Sequence, residues 1–254
     1  MELRPINALI LAGSRQGKQD LLAQLANVSH KAVLPILGRP MIDYVVQSLS
    51  RVEDIREIAV SIENQSILKN IAPEYIQYLP AALGPSASVI NAIHKLGTPL
   101  LITTADNPLL KPEWVKFFLN HANLCNCDVA VGIALKEQIQ YDAPHTHRTY
   151  IKMADGAFSG CNLFLFRTPK ALQIAQLWQK IEQYRKKPTH MAYLLGLPII
   201  ARYLTKSLTK KAIYKRIYRL TGAKINFIAL PWGQAAVDVD KKEDLDLVTS
   251  ILQK

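Results

Sequence analysis

Short apolar runs alternate with segments of helical periodicity through the first two thirds of the chain, and this alternation restricts the fold most strongly. Strands are predicted over residues 8–11, 58–62, 100–104 and 129–135, with helical patterns between them. Such alternation is typical of βαβ units, in which helices cover both faces of a mostly parallel sheet. We therefore predict a three-layer α/β fold, and the length of 254 residues suits a single domain over 1–254.

The basic residues are concentrated in one segment. Of the 31 Lys and Arg residues, eleven lie between 183 and 224, a window without Asp or Glu. The other 20 are balanced by 20 acidic residues, so the net charge of +11 belongs to this window. Its apolar and basic residues recur at helical spacing, which predicts a basic helical insertion at about 189–221.

The insertion allows three interpretations. Its apolar face could pack on the domain as a lid, or it could make peripheral contact with an anionic membrane, because residues 193–204 are more apolar than a lid requires. Nucleic-acid binding is disfavoured, since no recognisable binding motif accompanies the charge. The choice between a lid and a membrane contact stays open.

Cysteine usage and the N-terminus favour a cytoplasmic protein, either free or peripheral at the inner face of the membrane. The spacing of Cys125 and Cys127 suits neither a zinc ribbon nor a redox motif, so we expect reduced, mostly buried thiols there and at Cys161. No N-terminal segment has the pattern of a secretory signal, and no run of ~20 apolar residues predicts a membrane span.

The first strand runs into a loop of small residues that suits an anionic ligand. Backbone N–H groups of a glycine-containing loop can approach a phosphate closely, which makes this loop a candidate nucleotide-binding segment comprising Leu11, Ala12, Gly13 and Ser14. Positive charge could come from Arg15, Lys18 and Lys31. An ordinary strand and turn with solvated charges is the alternative.

Residues 11–40 resemble the MobA-like nucleotidyltransferases, whose first strand runs into L-A-G-G-x-G-x-R and is followed by P-K-x-L-L-P-x-x-G-x-P. The first motif is matched by Leu11-Ala12-Gly13, and the second by Lys31, Leu34, Pro35, Gly38 and Pro40. Ser14 replaces the second glycine of the first motif, and the next glycine, Gly17, stands one position later than in the motif. His30 replaces the proline of the second motif. The resemblance implies the Rossmann-like three-layer α/β/α nucleotidyltransferase fold.

An acidic residue follows the strand at 100–104. Asp106 stands in the stretch Ala105-Asp106-Asn107-Pro108-Leu109, at the carboxyl edge where open α/β sheets bind ligands. It could instead cap the next helix. The stretch resembles the family's A-D-x-P-[LM] segment, whose Asp ligates Mg²⁺, and the resemblance implies this role for Asp106.

Two more acids precede the last predicted helix. Residues 236–245 resemble the family's V-[DN]-T-P-E-D-L, and this alignment implies that Asp240 completes the metal site. Asp238 is a competitor, because residues two apart on an extended strand share a face. Asp240 could also be the N-cap of the helix, with Glu243 completing a capping box.

Two further segments are candidates for substrate contact. A predicted helix opens with small and hydroxyl residues, and the resemblance implies contacts with the nucleotide base for Gly84, Ser86 and Ser88, although simple N-capping would explain them too. A glycine and an asparagine two positions later resemble the family's G-x-N segment, which implies contacts with the acceptor for Gly160 and Asn162.

Taken with its motifs, the resemblance implies a Mg²⁺-dependent enzyme. Two carboxylates suit Mg²⁺, which binds one or two protein carboxylates together with substrate phosphates. An acceptor phosphate would attack the α-phosphorus of a nucleoside triphosphate (NTP), with Lys18 or Arg15 on the triphosphate and Lys31 near the transferring phosphate. CTP and GTP are common donors among the members that look nearest, and the acceptor would be a sugar, polyol or cofactor phosphate.

Two rival functions remain at this point. One is a GT-A-like glycosyltransferase with Asp238-Val239-Asp240 as its Asp-x-Asp metal site, although such enzymes carry that motif in mid-domain and lack the Lys31 segment. The other is a non-catalytic protein that binds membrane or nucleic acid through the basic insertion. Lys31 and the carboxylate pair favour nucleotidyl transfer over both.

Overall fold

The computed structural model describes residues 5–14, 20–69, 71, 73–184 and 186–253. Within these residues the strands are β1 (Ile6–Leu11), β2 (Pro35–Ile36), β3 (Arg39–Pro40), β4 (Ile55–Ile62), β5 (Gln77–Pro80), β6 (Leu100–Thr104), β7 (Val129–Leu135), β8 (Ile151–Met153), β9 (Gly156–Phe166) and β10 (Ile225–Ala229). The α-helices are α1 (Leu21–Leu25), α2 (Met41–Ser50), α3 (Pro85–Leu96), α4 (Pro112–Leu124), α5 (Lys136–Asp142), α6 (Ala171–Tyr184), α7 (Pro188–Leu195), α8 (Leu197–Leu204), α9 (Lys210–Thr221) and α10 (Lys242–Leu252).

A mostly parallel sheet forms the middle layer. Its strand order is β10-β7-β9-β6-β1-β4-β5, with β8 paired to β9. The pairs of β1 with β4 and β6, of β4 with β5, and of β7 with β10 are parallel, whereas β9 is antiparallel to its neighbours. Helices α2, α4 and α10 contribute to the core on one face, and α3 and α6 to the core on the other. The predicted three-layer α/β/α fold is confirmed.

Strand β1 shows why its sequence is almost wholly apolar. Ile6, Ala8 and Ile10 belong to one core cluster and Leu9 to the other, because successive side chains of a strand point to opposite faces. A parallel strand covered by helices on both sides is buried on both faces, and each of these four side chains is fully buried. The two cores therefore hold the end of β1 in a fixed position.

The carboxyl ends of three parallel strands lie together. At the end of β1, Leu11 is paired with Ser61 of β4 on one side and with Thr104 of β6 on the other. The loops that follow these strands consequently leave the sheet at one edge. This edge is where ligands bind in open α/β sheets.

A small hairpin follows the first helix. A 3₁₀ turn at Lys31–Val33 leads into β2, which pairs with β3 through a turn at Leu37 and Gly38. Both turn residues have positive φ, 49° and 77°, as two-residue hairpins of the primed type require. The hairpin leads directly into α2 and fixes the backbone after Lys31.

Replacing Gly38 with alanine is expected to lower the free energy of unfolding by about 1 kcal/mol, because an L residue is strained at this φ. No atom of the described residues lies within 4 Å of the added Cβ, so the backbone conformation is the cause of the expected loss. Urea denaturation measures it. An unchanged transition midpoint would contradict this account of the turn.

The predicted elements differ from the observed ones mainly at their ends. Strands β1 and β4 begin at Ile6 and Ile55, before their predicted starts at residues 8 and 58, and β9 begins at Gly156. Its first half is only partly buried and pairs with β8, so it lacks the continuous apolar character of the core strands. The helical insertion predicted at about 189–221 overlaps α7, α8 and α9. Among the described residues, no helix is long and apolar enough to cross a membrane.

One expectation about the cysteines is wrong. Cys125 and Cys127 are joined by a disulfide, because the loop between α4 and β7 brings their Cα atoms to 5.4 Å. Cys161 is a buried free thiol, as predicted, and burial raises its pKa.

Candidate active site

Three of the predicted site residues meet at the carboxyl edge of the sheet. The Lys31 Nζ atom donates hydrogen bonds to Asp106 Oδ2 at 2.9 Å and to Asp240 Oδ1 at 2.8 Å. The side chains are 18, 25 and 60% exposed, respectively. The structure thus brings together the lysine of the hairpin segment and the two acids aligned with the metal-ligand motifs, across 75 and 209 residues of sequence.

The charges around Lys31 keep it protonated. Burial alone would lower the pKa of its ammonium group, but the negative charges of Asp106 and Asp240 and their hydrogen bonds raise the pKa above the ordinary value for lysine. Lys31 is therefore a fixed positive charge at neutral pH. A cation that keeps its charge suits the stabilisation of phosphate oxygens.

Asp106 is held by the loop that follows β6. Its main-chain oxygen accepts a hydrogen bond from the N–H of Val239 at 2.9 Å, which ties this loop to the segment before α10. The neighbouring Asn107 donates to the main-chain oxygen of Cys161 in β9 at 3.3 Å. Asp106 does not cap α4, whose N-cap is Lys111. Its carboxylate is instead directed to Lys31.

Asp240 lies just before α10 but is not its N-cap. The N-cap is Lys241, and the carboxylate of Asp244 accepts the N–H groups of both Asp240 and Lys241, at 3.1 and 3.0 Å. The capping interpretation with Glu243 is therefore wrong, because the first-turn acid that reaches back is Asp244. This capping leaves the Asp240 side chain to contact Lys31.

Asp238 makes a different set of contacts. Its carboxylate pairs with Arg148 Nη2 at 2.5 Å and accepts a hydrogen bond from Asn162 Nδ2 at 2.9 Å. Burial raises the pKa of Asp238, the Arg148 charge opposes this, and the charges of Asp106 and Asp240 add to the increase. The segment is not a β-strand, so the expected shared face with Asp240 does not form.

The residues predicted to contact the acceptor lie in β9. Asn162 has φ of 50°, and its side chain is bonded to Asp238. Gly160 is exposed, and a Cβ there would have no described atom within 4 Å. Gly160 therefore borders open space, whereas Asn162 supports the segment before α10.

The loop after β1 is bonded to a carboxylate that was not predicted from the sequence. Glu63, just after β4, accepts the N–H of Ser14 at 2.6 Å and lies 3.5 Å from the His30 ring. A Cβ at Gly13 would lie 2.9 Å from that of Ala81, so this position requires glycine. The main-chain oxygen of Leu11 accepts a hydrogen bond from Ala105 in the loop after β6, and the N–H of Ala12 donates one to Ser61 of β4. The predicted residues Arg15 and Lys18 lie outside the described residues.

A second carboxylate meets the start of α3. Glu182 of α6 accepts hydrogen bonds from the N–H of Ser86, at 3.3 Å, and from its hydroxyl group. A Cβ at Gly84 would lie 2.6 Å from a carboxylate oxygen of Glu182, so a larger residue there would displace this side chain. The hydroxyl of Ser88 accepts the N–H of Ala82 at 2.9 Å. Both serines are buried in the first turn of α3, and neither caps the helix through its side chain.

Three charged residues at this edge were not predicted from the sequence: Glu63, Arg148 and Glu182. Each acts through a contact across 49 to 96 residues of chain. None of them lies in a motif that was recognised, and isolated charges in a sequence are usually solvated. Only the position of Glu63 directly after a predicted strand could have indicated it.

Comparison with known proteins identifies the family of the chain. A family model for the MobA-like NTP transferase domain matches residues 8–209. The chain belongs to this family. It is accordingly a nucleotidyltransferase, and the GT-A-like glycosyltransferase and the purely non-catalytic binding protein are set aside. A search of curated proteins finds no match.

Solved structures share the fold of this family member. A hypothetical transferase from Thermus thermophilus is 27% identical with a TM-score of 0.81, over 96% of this chain and 100% of that one. A 4-diphosphocytidyl-2C-methyl-D-erythritol synthase from Anaerococcus prevotii is 13% identical with a TM-score of 0.59, over 98% of both chains. A CMP:2-keto-3-deoxy-manno-octonic acid synthetase complexed with CTP is 15% identical with a TM-score of 0.59, over 97% of this chain and 98% of that one.

Proposed function

We propose that the protein transfers a nucleoside monophosphate from an NTP, with CTP or GTP as the favoured donor, to the phosphate group of a small-molecule acceptor. The single observation that carries this proposal is the contact of Lys31 with both Asp106 and Asp240 at the carboxyl edge of the sheet. These side chains place one fixed cation and two carboxylates beside the loop after β1. Phosphoryl chemistry needs such charges, because its catalysis rests on positioning and on neutralising phosphate oxygens.

The two carboxylates also fit a divalent cation. Asp106 Oδ1 is buried and has no hydrogen-bond partner among the described residues, and a cation would satisfy it. If ionised, the three acids Asp106, Asp238 and Asp240 exceed the two cations Lys31 and Arg148 by one negative charge. Over the same part of the chain, no group of three or more His, Cys, Asp or Glu side chains is arranged to hold a metal. This donor set suits Mg²⁺, which takes few protein ligands together with substrate phosphates.

In the proposed reaction, an oxygen of the acceptor phosphate forms a bond to the α-phosphorus of the NTP. The bond from that phosphorus to the bridging oxygen of the β-phosphate breaks, and its electron pair leaves with pyrophosphate. Lys31 would donate hydrogen bonds to the transferring phosphate. Asp106 and Asp240 would hold Mg²⁺, which would supply Lewis-acid neutralisation of phosphate charge. No covalent intermediate with the protein is required.

Substrate positions follow from the loops around this cluster. The triphosphate would lie along the loop that contains Gly13 and Ser14, with Arg15 and Lys18 as further cations. The base would contact the loop of Gly84. The acceptor would enter beside Gly160, where the space is open. CTP is supported as donor by the structural neighbour that is described as complexed with CTP.

The test is a screen for pyrophosphate release with four NTPs and a panel of sugar, polyol and cofactor phosphates. We expect release with one NTP when an accepted phosphate and Mg²⁺ are both present, and mass spectrometry should show the joined product. Equal release without any acceptor would mean hydrolysis of the NTP. That result would contradict nucleotidyl transfer to an acceptor phosphate.

A further inference from the structure

The surface formed by α7, α8 and the turn after α8 differs in charge from the rest of the protein. We call residues 186–207 the basic apolar surface. It carries exposed cations at both ends, Lys186 and Lys187 before α7 and Arg202 and Lys206 around the end of α8. The sequence has no acidic residue between 183 and 224. This surface therefore carries positive charge at both ends and no acidic residue.

Large apolar side chains project from the same surface. Tyr193 in α7 is 90% exposed, and Leu197, Tyr203 and Leu204 in α8 are 78, 65 and 73% exposed. Leu197 and Leu204 are seven residues apart, which places them on one side of the helix. Soluble surfaces carry single exposed apolar residues, but a cluster of this kind marks an interaction site.

The surface is anchored to the domain by other residues. Ile199 of α8 and Leu208 in the turn before α9 are buried, and Arg216 of α9 donates a hydrogen bond to the main-chain oxygen of Leu194 at 2.8 Å. The inward side of α8 is therefore already packed, and residues 201–207 are all exposed. A lid that used its apolar face to cover the domain would bury Tyr203 and Leu204 instead.

We propose that the basic apolar surface binds anionic phospholipid bilayers. Helices that lie in the membrane interface combine apolar and aromatic side chains, which enter the region between head groups and acyl chains, with cations that meet lipid phosphates. Tyr203 and Leu204 between Arg202 and Lys206 have this combination within five residues. The positive charge without acids complements an anionic surface, and the exposed leucines distinguish a bilayer from a nucleic acid, which offers no apolar interior to them.

Membrane binding would bring the candidate active site to the bilayer. Glu182, near the end of α6, bonds Ser86 in the first turn of α3, and α7 begins four residues after α6 ends. The surface and the proposed nucleotide loop are thus joined through α6. Binding itself does not depend on the proposed reaction, so a vesicle assay tests it separately.

The experiment is co-sedimentation of the full chain with vesicles of phosphatidylcholine alone and of phosphatidylcholine mixed with phosphatidylglycerol. We expect binding to the mixed vesicles only, weakening as salt is added. Leu204→Ser should weaken binding about tenfold through lost apolar burial. Lys206→Ala should weaken it about fivefold, the effect of one cation near an anionic membrane.

Matched control variants distinguish binding by this surface from nonspecific adsorption of the protein to vesicles. Tyr203→Ser should weaken binding, whereas Tyr75→Ser should not, although Tyr75 is 61% exposed before the edge strand β5. Lys69→Ala is the corresponding control for Lys206, since Lys69 is exposed and lies between β4 and β5. All these side chains are exposed, so circular dichroism should show folded variants.

Three outcomes would overturn the proposal. The first is no binding to the mixed vesicles. The second is binding that Leu204→Ser and Tyr203→Ser leave unchanged, because the contact would then be electrostatic and lie elsewhere. The third is binding of short duplex DNA by the same surface without binding of the vesicles. Selective loss in the surface variants, with both controls unchanged, would support it.

Discussion

Replacing Lys31 with methionine is expected to lower kcat for pyrophosphate release by about 10²–10³-fold, the usual effect of losing one donor that stabilises developing charge. The substitution keeps most of the length of the side chain and removes only the ammonium group, which donates to Asp106 and Asp240. Because the proposed contact strengthens in the transition state, KM for the NTP should change much less than kcat.

The control for this experiment is Lys69→Met, which removes an equally charged but exposed side chain. It should leave kcat and KM unchanged. Circular dichroism verifies that both variants are folded. If Lys31→Met raised KM and left kcat intact, Lys31 would serve binding of the ground state, and its proposed place at the transferring phosphate would be wrong.

Replacing Arg148 with methionine is expected to lower the free energy of unfolding by about 3–5 kcal/mol, the usual loss when one partner of a buried ion pair is removed. The side chains of Arg148 and Asp238 are only 11 and 14% exposed, and Arg148 also donates to the main-chain oxygen of Asp238 at 3.3 Å. Without Arg148 the carboxylate stays buried beside Asp106 and Asp240, which repel it. Urea denaturation measures the loss.

A surface ion pair supplies the matched control. Arg56 pairs with Glu57, and these side chains are 58 and 51% exposed, so Arg56→Met should cost less than about 1 kcal/mol. Adding Asp238→Asn to Arg148→Met should restore part of the lost stability, since it removes the unpaired charge. If Arg148→Met cost no more than Arg56→Met, the buried pair would have no stabilising role.

Much of the sheet and the centre of the candidate site could be predicted from the sequence. Buried parallel strands are almost wholly apolar, so β6 and β7 could be predicted at their observed bounds. A strand end also indicates where its next residues lie, and for this reason Asp106 could be assigned to the carboxyl edge, whereas the role of Lys31 came from the family resemblance. The family resemblance then implied Asp240, and the structure places it against Lys31.

Without the family alignment, the sequence does not distinguish Asp238 from Asp240. Alternation on a strand would give the two acids one face, but this segment has no strand partner and turns each carboxylate to a different cation. Arg148 was missed because it lies in a loop without periodicity, and only the folded chain brings it to Asp238. The same holds for Glu182, whose helical pattern identifies α6 but not the loop that it meets.

The disulfide between Cys125 and Cys127 was missed for a related reason. Spacing in the sequence excludes zinc and redox motifs, but it does not give the path of a loop. After α4 the chain turns so that the two Cα atoms lie 5.4 Å apart. Loop geometry of this kind depends on the elements at either end, here α4 and β7.

The most direct test of the candidate active site is Asp106→Asn, assayed for pyrophosphate release with the donor and acceptor that the screen identifies. The amide keeps the shape of the side chain but loses the charge that pairs with Lys31. The account predicts a loss of at least about 10²-fold, as for other groups that organise phosphate charge. Asp246→Asn, which changes a carboxylate 61% exposed on α10, should keep full activity. Near-normal pyrophosphate release by Asp106→Asn would contradict the assignment of this edge of the sheet as the catalytic centre.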